Sequence, residues 1–321
     1  MPGITCFTEA RPIEKVGLYI PGGTAPLPST VLMLAIPAKL AGCQDIILAT
    51  PPGKNGKVAE IILFVAKLCG LTKVFKIGGT QAIAALAFGT ESMPKVYKIF
   101  GPGNQYVTAA KMLISIDPEG AAIDMPAGPT ETLVIADGQA PADFAASDLL
   151  SQAEHGFDSQ AILVATSEKK AQEILIELER QLLVLPRQAI AHRALGNSFV
   201  VIVNSLEEAI TFSNLYAPEH LILNVAKAAR YVAKIINAGS VFLGPYACES
   251  AGDYASGPNH SLPTYGYARV LGGVAVSSFQ KQVTFQKVTK LGAQKIGPIV
   301  SAMAEQEFLA GHQRAMRLRY Q

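Results

Sequence analysis

The chain has 321 residues, of which 50% are hydrophobic and 16% charged, and its formal net charge is +2. That length suffices for two lobes with separate cores, and the lack of a dense lysine and arginine block argues against nucleic acid as a partner. Proline, glycine or lysine interrupts every long apolar stretch, which excludes a membrane span, while four scattered cysteines without a C-x-x-C pair favour a reducing, cytoplasmic setting.

Short runs rich in β-branched residues recur along the chain and alternate with helical segments. In order they are VGLYI, DIILAT, KVFKI, TLVIAD, AILVAT, FVVIV, HLILNV and SVFLG, with helices predicted at Ser29–Gly42 and Gly56–Gly70 among others. Most of the runs are continuously apolar, as expected for strands covered on both faces. The alternation predicts an α/β fold with mainly parallel sheets. From about Gln280 no strand-like run remains, which predicts a helical tail.

Three glycine clusters directly follow predicted strands, in YIPGGTAP, KIGGTQ and IFGPGNQ. Glycine at a strand-to-helix turn lets backbone N–H groups approach a phosphate, but it equally serves a tight turn. None of the clusters is G-x-G-x-x-G, so the dinucleotide fingerprint is absent. Lys111 follows one of these turns, and we expect it to be solvated on its helix rather than bound to an anion.

Two groups of polar residues have metal-ligand chemistry. Gln152 and His155 lie three residues apart, so on a helix they share one face and can meet on one ion; the alternative is a solvated helix face. Glu249, Asp253 and His260 belong to a segment rich in glycine, serine and proline that predicts a loop. Oxygen and imidazole donors without sulfur suit Zn²⁺ or Mn²⁺, whereas the alternative for Asp253 is a turn cap.

The segment NLYAPEHLIL places Glu219 and His220 side by side ahead of an apolar run. In an extended backbone their side chains point to opposite sides, so they would approach one substrate from two directions. Two neighbouring groups with separate proton-transfer tasks would justify the cost of burying them. The alternative is a pair at the edge of a strand that faces solvent.

Taken together, these segments resemble histidinol dehydrogenase. The resemblance runs almost end to end and includes VGLYIPGGTAPLPSTVLMLAIPAKLAGC, AIDMPAGPTETLVIAD, SDLLSQAEHGFDSQ, APEHLIL and AGSVFLGPYACESAGDYASGPNHSLPTYGYAR. It implies a cytoplasmic enzyme of histidine biosynthesis that oxidises L-histidinol to L-histidine through an aldehyde, with two NAD⁺ and one Zn²⁺ per site.

The resemblance also assigns residues to roles. It implies that Glu219 and His220 are the catalytic pair and that the zinc ligands are Gln152, His155, Asp253 and His312. His260 and Glu307 match further substrate contacts, as does Thr130, which replaces a serine of the family but keeps its hydroxyl. The implied substrate contacts are therefore Thr130, Gln152, His155, Glu219, His220, Asp253, His260, Glu307 and His312. The implied NAD⁺ contacts are Tyr19, Gln81 and Asn104.

The family architecture implies two incomplete Rossmann-like lobes and a shared site. Residues 19–131 would form an inserted lobe with NAD⁺ contacts, and residues 1–18 with 132–273 the lobe that carries the zinc, substrate and catalytic residues. Residues 274–321 would form a helical extension that reaches the partner of a homodimer, where His312 and Glu307 complete the partner's site. Family members normally carry a sizeable portion ahead of PGITC, so we expect this chain to lack part of one lobe and of the dimer contacts.

Two other functions are compatible with the same residues. A zinc hydrolase would use Glu219 on metal-bound water and would act without NAD⁺. A metal- or nucleotide-binding module, inactive without the N-terminal portion, would bind its ligands but produce no NADH from histidinol.

Overall fold

The computed structural model of the chain describes residues 1–22 and 26–321. In chain order the strands are β1 (Ile4–Pro12), β2 (Lys15–Tyr19), β3 (Asp45–Thr50), β4 (Lys73–Lys76), β5 (Lys98–Phe100), β6 (Ala122–Ile123), β7 (Glu131–Ala136), β8 (Gln160–Ala165), β9 (Phe199–Ile202), β10 (His220–Asn224), β11 (Ser240–Leu243) and β12 (Gln280–Val288). The helices are α1 (Pro28–Ala41), α2 (Glu60–Leu68), α3 (Thr80–Phe88), α4 (Gln105–Ser115), α5 (Ala142–Ala153), α6 (Glu168–Leu182), α7 (Gln188–Leu195), α8 (Leu206–Tyr216), α9 (Glu249–Ala251), α10 (Lys290–Gln306) and α11 (Ala310–Tyr320). Among the described residues, no helix is both long and apolar enough to cross a bilayer.

The chain divides into two compact units. The larger spans Ile13–Phe279 and contains two five-stranded sheets, both entirely parallel. The first sheet has the order β4-β3-β2-β5-β6 and the second has the order β11-β10-β7-β8-β9. When the strands of each sheet are numbered along the chain, both sheets have the order 3-2-1-4-5. This order is typical of nucleotide-binding α/β halves. This confirms the predicted α/β fold with two parallel-sheet lobes.

Helices cover both faces of each sheet, which explains the continuously apolar strand sequences. In the first sheet, α1 and α2 pack on one face and α3 and α4 on the other. In the second sheet, α5, α6 and α7 cover one face and α8 covers the other. Every residue of β7 and of β10 is buried. Polar residues at the ends of these two strands are thus held by the sheet core.

The first sheet begins earlier than residue 19. Strand β2 spans Lys15–Tyr19 and pairs with β3 and β5. The inserted lobe expected at residues 19–131 would therefore leave four of the five residues of β2 outside the sheet to which they belong. The glycine-bearing turn predicted after this strand falls partly on residues 23–25, which lie outside the described residues.

The smaller unit combines Met1–Pro12 with Gln280–Gln321. In it, β1 and β12 form an antiparallel pair in which Ile4 is opposite Val288 and Pro12 is opposite Gln280, and α10 and α11 follow. The expectation of no strand after Gln280 was therefore wrong. The sequence of β12, QKQVTFQKV, carries no apolar run because the strand pairs only with β1 and leaves most of its side chains exposed or half-buried. The first twelve residues also belong to this unit and not to the second sheet.

Candidate active site

A cavity of about 320 Å³ lies between the two sheets of the larger unit. One wall comes from segments that follow β2 and β5, at the carboxyl ends of the first sheet. The other wall comes from residues at the amino ends of β7 and β10, and from helical turns after β11. Ligands of α/β proteins bind at the carboxyl ends of strands, and the first sheet follows this rule. The second sheet contributes its opposite end.

The Glu219–His220 pair is placed by the end of one helix and the start of a strand. Helix α8 ends at Tyr216, and Ala217 adopts a left-handed backbone with φ 59° that turns the chain out of the helix. Pro218 follows, and β10 begins at His220, paired in register with Thr132 of β7. Both side chains are buried, with 5% of Glu219 and 3% of His220 exposed.

The side chains of the pair do not point to opposite sides, contrary to the expectation for an extended segment. His220 Nδ1 lies 3.7 Å from Glu219 Oε2 and 3.9 Å from Glu249 Oε1. Glu219 precedes the strand, and its Oε2 accepts hydrogen bonds from the Thr130 hydroxyl and from the Glu131 backbone N–H at 2.9 Å. These bonds bend the carboxylate toward the imidazole, so both groups serve the same cavity.

Burial and mutual charge shift the pKa of each group. Burial raises the pKa of Glu219 to about 7, although His220, Thr130 and the Glu131 N–H oppose the shift. For His220, burial disfavours the charged ring, but the carboxylates of Glu249 and Glu219 outweigh it and raise the pKa above the ordinary value. The Glu219 carboxyl therefore titrates near neutral pH, as a proton-transfer group requires, and its neighbouring carboxylates favour the charged form of the His220 ring.

Gln152 and His155 lie at the end of α5. The Gln152 side chain is completely buried, and neither of its amide atoms has a hydrogen-bond partner among the described residues. His155 lies just beyond the helix, where its Nδ1 is 2.8 Å from the Ser151 carbonyl oxygen. That bond leaves Nε2 as the nitrogen available to a ligand.

The segment predicted as a loop is helical where it carries acids. Glu249–Ala251 form the short helix α9, and Gly252–Ser256 continue it as a π-helical turn. Turns this short leave no periodic apolar pattern in the sequence, which is why the segment resembled a loop. They bring ligand atoms of Glu249, Asp253 and His155 within 4.8 Å of one another.

Glu249 also lines the cavity, although the sequence pattern predicted no role for it. It is 1% exposed, and its Oε2 accepts a hydrogen bond from the Thr132 hydroxyl at 2.5 Å. Its four-residue spacing from Asp253, which places two residues on one helix face, was the available signal. Burial, followed by the charge of Glu249, raises the pKa of Asp148 to about 7 and that of Asp253 to about 6. Such a cluster of carboxyls strongly favours a bound cation.

The remaining predicted residues fall into three places. Thr130 and His260 line the cavity, and burial lowers the pKa of His260 to about 4, so its ring is neutral at pH 7. Asn104 also lines the cavity, and its Oδ1 caps α4 by accepting from the backbone N–H groups of Tyr106 and Val107. Tyr19 and Gln81 do not appear among the described residues that line the cavity.

Tyr19 and Gln81 instead both follow or end strands of the first sheet, β2 and β4. Tyr19 ends β2 and is buried, and its hydroxyl accepts a hydrogen bond from the Gly79 N–H at 3.1 Å. Gln81 is exposed in the first turn of α3, which follows that glycine. Both therefore belong to the carboxyl end of the first sheet.

Glu307 and His312 belong to the smaller unit. Glu307 directly follows α10, and His312 is in the first turn of α11. Both side chains are exposed.

The chain is similar to known proteins over nearly its whole length. The sequence model of the histidinol dehydrogenase family matches residues 1–320. A histidinol dehydrogenase of Bacteroides fragilis (strain YCH46) is 59% identical over 99% of this chain and 74% of its own length, and a chloroplastic one of Arabidopsis thaliana is 55% identical over 99% and 69%. The crystal structure of the histidinol dehydrogenase of Elizabethkingia anophelis superposes with a TM-score of 0.96 at 57% identity, over 99% of this chain and 73% of that one.

Two nucleotide-type sheets and a buried carboxylate–imidazole pair, combined with these matches, define an NAD-dependent oxidoreductase. The chain belongs to the histidinol dehydrogenase family, which acts in histidine biosynthesis and uses NAD⁺ and Zn²⁺.

Proposed function

We propose that the chain oxidises L-histidinol to L-histidine through the aldehyde, with Glu219 and His220 as its proton-transfer groups. The observation that carries the proposal is their burial, with 3.7 Å between Oε2 and Nδ1, in the cavity that His155 and Asp253 also line. Each oxidation removes a hydride, accepted by NAD⁺, and a proton. Water enters between the two steps, so the site must transfer protons for an alcohol and for a hydrated aldehyde.

The donor set fits a zinc ion. We propose Gln152, His155 and Asp253 as its ligands from this chain, together with the partner's His312. Support comes from the buried, unpartnered amide of Gln152 and from the proximity of His155, Glu249 and Asp253, all of them nitrogen or oxygen donors that Zn²⁺ accepts. A zinc ion held by these residues would bind the amino and imidazole nitrogens of the substrate and so orient the carbon that is oxidised.

In the first step, His220 takes the hydroxyl proton as hydride leaves the carbon. Both ring nitrogens of His220 are buried and lack a hydrogen-bond partner among the described residues, so the neutral ring has a free lone pair. The nearby carboxylates of Glu219 and Glu249 stabilise the imidazolium that forms.

In the second step, Glu219 takes a proton from water, which adds to the aldehyde carbon. Thr130 and the Glu131 N–H both donate to Oε2, which leaves Oε1 to accept the proton. The raised pKa makes Glu219 a stronger base than an ordinary glutamate while it is ionised. As the water adds, the imidazolium of His220 returns its proton to the aldehyde oxygen, which gives the hydrate and a neutral ring. His220 then takes a hydroxyl proton of the hydrate as the second hydride leaves, and the product ionises to the carboxylate.

We assign Tyr19, Gln81 and Asn104 to the NAD⁺ site. Their support is their common position at the carboxyl ends of β2, β4 and β5, where α/β sheets bind dinucleotides. We also place the enzyme in the cytoplasm, because Cys6, Cys43, Cys69 and Cys248 are free thiols, as is usual in a reducing compartment.

Replacing His155 with alanine should weaken zinc binding by at least about tenfold, because even residues behind the ligands cost that much when removed. Elemental analysis after equilibration with limiting zinc measures the effect. The exposed His192 on α7 provides the control, and its alanine variant should retain full zinc. Unchanged zinc in the His155 variant would remove this residue from the ligand set.

We propose that the active form is a homodimer in which the partner's His312 and the partner's Glu307 complete each site. The support is the family resemblance and the exposure of both residues, which belong to the smaller unit, whereas the cavity is lined by residues of the larger unit. Mixing a His312→Ala chain with a Glu219→Gln chain should restore L-histidine formation, since about half of randomly paired dimers are hybrids with one intact site. With mixing verified by mass spectrometry, absence of recovery would mean that each chain builds its own site.

The test of the proposed function is NADH formation by the purified protein with L-histidinol, NAD⁺ and Zn²⁺. NADH should appear only when all components are present. Turnover of histidinol without NAD⁺ would instead indicate the zinc hydrolase, and ligand binding without any turnover would indicate an inactive binding module.

A further inference from the structure

Lys111 is buried on α4, although a solvated position was expected. Its side chain is 1% exposed and that of its ion-pair partner, Asp124, is 2% exposed. The Lys111 ammonium donates to Asp124 Oδ1, to the Gly101 carbonyl oxygen at 2.8 Å and to the Met125 carbonyl oxygen at 3.1 Å. All three ammonium protons are thus in use.

Asp124 and Lys111 together bind both backbone polar groups of Gly101. The Oδ2 of Asp124 accepts from the Gly101 N–H at 2.8 Å, so the ion pair holds both the N–H and the carbonyl of this one residue. Gly101 has φ +122°, and a Cβ there would lie 2.0 Å from the Tyr19 carbonyl oxygen. The backbone at this point is therefore both unusual and tightly fixed.

The ion pair joins the two segments that form opposite parts of the cavity wall. After Gly101, residues 102–104 line the cavity at the carboxyl end of β5. After Met125, residues 127–130 line it and lead to Thr130, which binds Glu219. Thr108, one turn before Lys111 on α4, adds a bond from its hydroxyl to the Ala127 carbonyl oxygen at 2.8 Å.

We propose that Lys111 and Asp124 are a positioning pair that sets the spacing of these two segments for NAD⁺ and substrate. A buried ion pair contributes little net stability compared with apolar residues of similar size. Its directional bonds, however, specify where the Gly101 N–H and the carbonyl groups of Gly101 and Met125 lie. Misplacement of a binding group by about 1 Å costs on the order of 100-fold in rate. This inference rests on the proposed function.

The test compares Lys111→Met with Lys170→Met. Lys170 is likewise a buried helix lysine, 9% exposed, whose ammonium donates to the Ala140 carbonyl oxygen at 3.0 Å and which does not line the cavity. Lys111→Met should raise the KM for NAD⁺ and for L-histidinol by about tenfold or more, while the pH dependence of kcat stays that of the unaltered enzyme. Lys170→Met should leave both KM values unchanged.

A purely structural role predicts a different result. Fewer folded molecules would then lower the apparent kcat and leave both KM values unchanged, and that outcome would overturn the inference. If Lys111→Met does not fold, the double variant Lys111→Met/Asp124→Leu leaves no unpaired charge and should fold with the same raised KM values. Wild-type KM values in the double variant, or its failure to fold, would also overturn the inference. An unaltered enzyme that makes no NADH would overturn the proposed function first.

Discussion

Replacing His220 with asparagine should lower kcat for NADH formation from L-histidinol by about 100- to 10,000-fold, the usual contribution of a general base. Asparagine is close to histidine in size but cannot take the alcohol proton. Because His220 is proposed to serve both oxidations, the loss should be similar with the alcohol and with the aldehyde as substrate. Stopped-flow absorbance of NADH separates hydride transfer from product release.

Zinc content distinguishes a lost base from a lost metal site. The His220→Asn protein should hold as much zinc as the unaltered protein, and His192→Asn, at an exposed position on α7, should retain both zinc and activity. A His220 variant that loses its zinc would show that this imidazole binds the metal and that its role as base is misassigned.

Replacing Glu219 with glutamine should separate the two oxidations. Alcohol oxidation should continue, whereas aldehyde oxidation should fall by about 100- to 10,000-fold because no carboxylate takes the proton from water. The aldehyde should then leave the enzyme and be captured by an added hydrazide, which mass spectrometry quantifies. Glu207→Gln is the control, since this exposed glutamate does not line the cavity and forms an ion pair with Lys234 at 2.9 Å.

The pH dependence provides an independent readout of the same residue. Glu219 must be ionised to act as a base, and its pKa is about 7, so aldehyde oxidation should slow as the pH falls through about 7. In Glu219→Gln this dependence should disappear from the aldehyde step, and only the dependence due to His220 should remain. Equal loss of both steps with an unchanged pH profile would contradict the assignment.

The sequence predicted the two parallel sheets because their strands are buried on both faces and therefore continuously apolar. It did not predict β12, whose composition is polar because the strand pairs with β1 and leaves its side chains exposed or half-buried. The position of Lys111 was open to prediction, since Val107, Lys111 and Ile114 share the buried face of α4. The lysine was nevertheless expected in solvent. Its partner, Asp124, lies beyond the end of α4, so no spacing within the helix indicates the ion pair.

The sequence allowed the residue types of the candidate site to be predicted, but not their positions relative to one another in the fold. The glutamate–histidine pair and the spacing of Gln152 and His155 are visible in the sequence. That the pair and His155 line one cavity together with Asp253 depends on the register of β7 and β10 and on the helical turns at Glu249–Ser256, which no local pattern encodes. For the same reason, the bend that brings Glu219 to His220 was missed, because it is made by Thr130 and Glu131 from a strand about ninety positions away.

The ratio of NADH to L-histidine formed by the unaltered protein most directly tests whether one carboxylate–imidazole pair carries an amino alcohol through both oxidations. Simultaneous absorbance and chromatographic measurement should give two NADH for each histidine, with no aldehyde accumulating. One NADH for each molecule of histidinol consumed, with the aldehyde as the end product, would contradict the account.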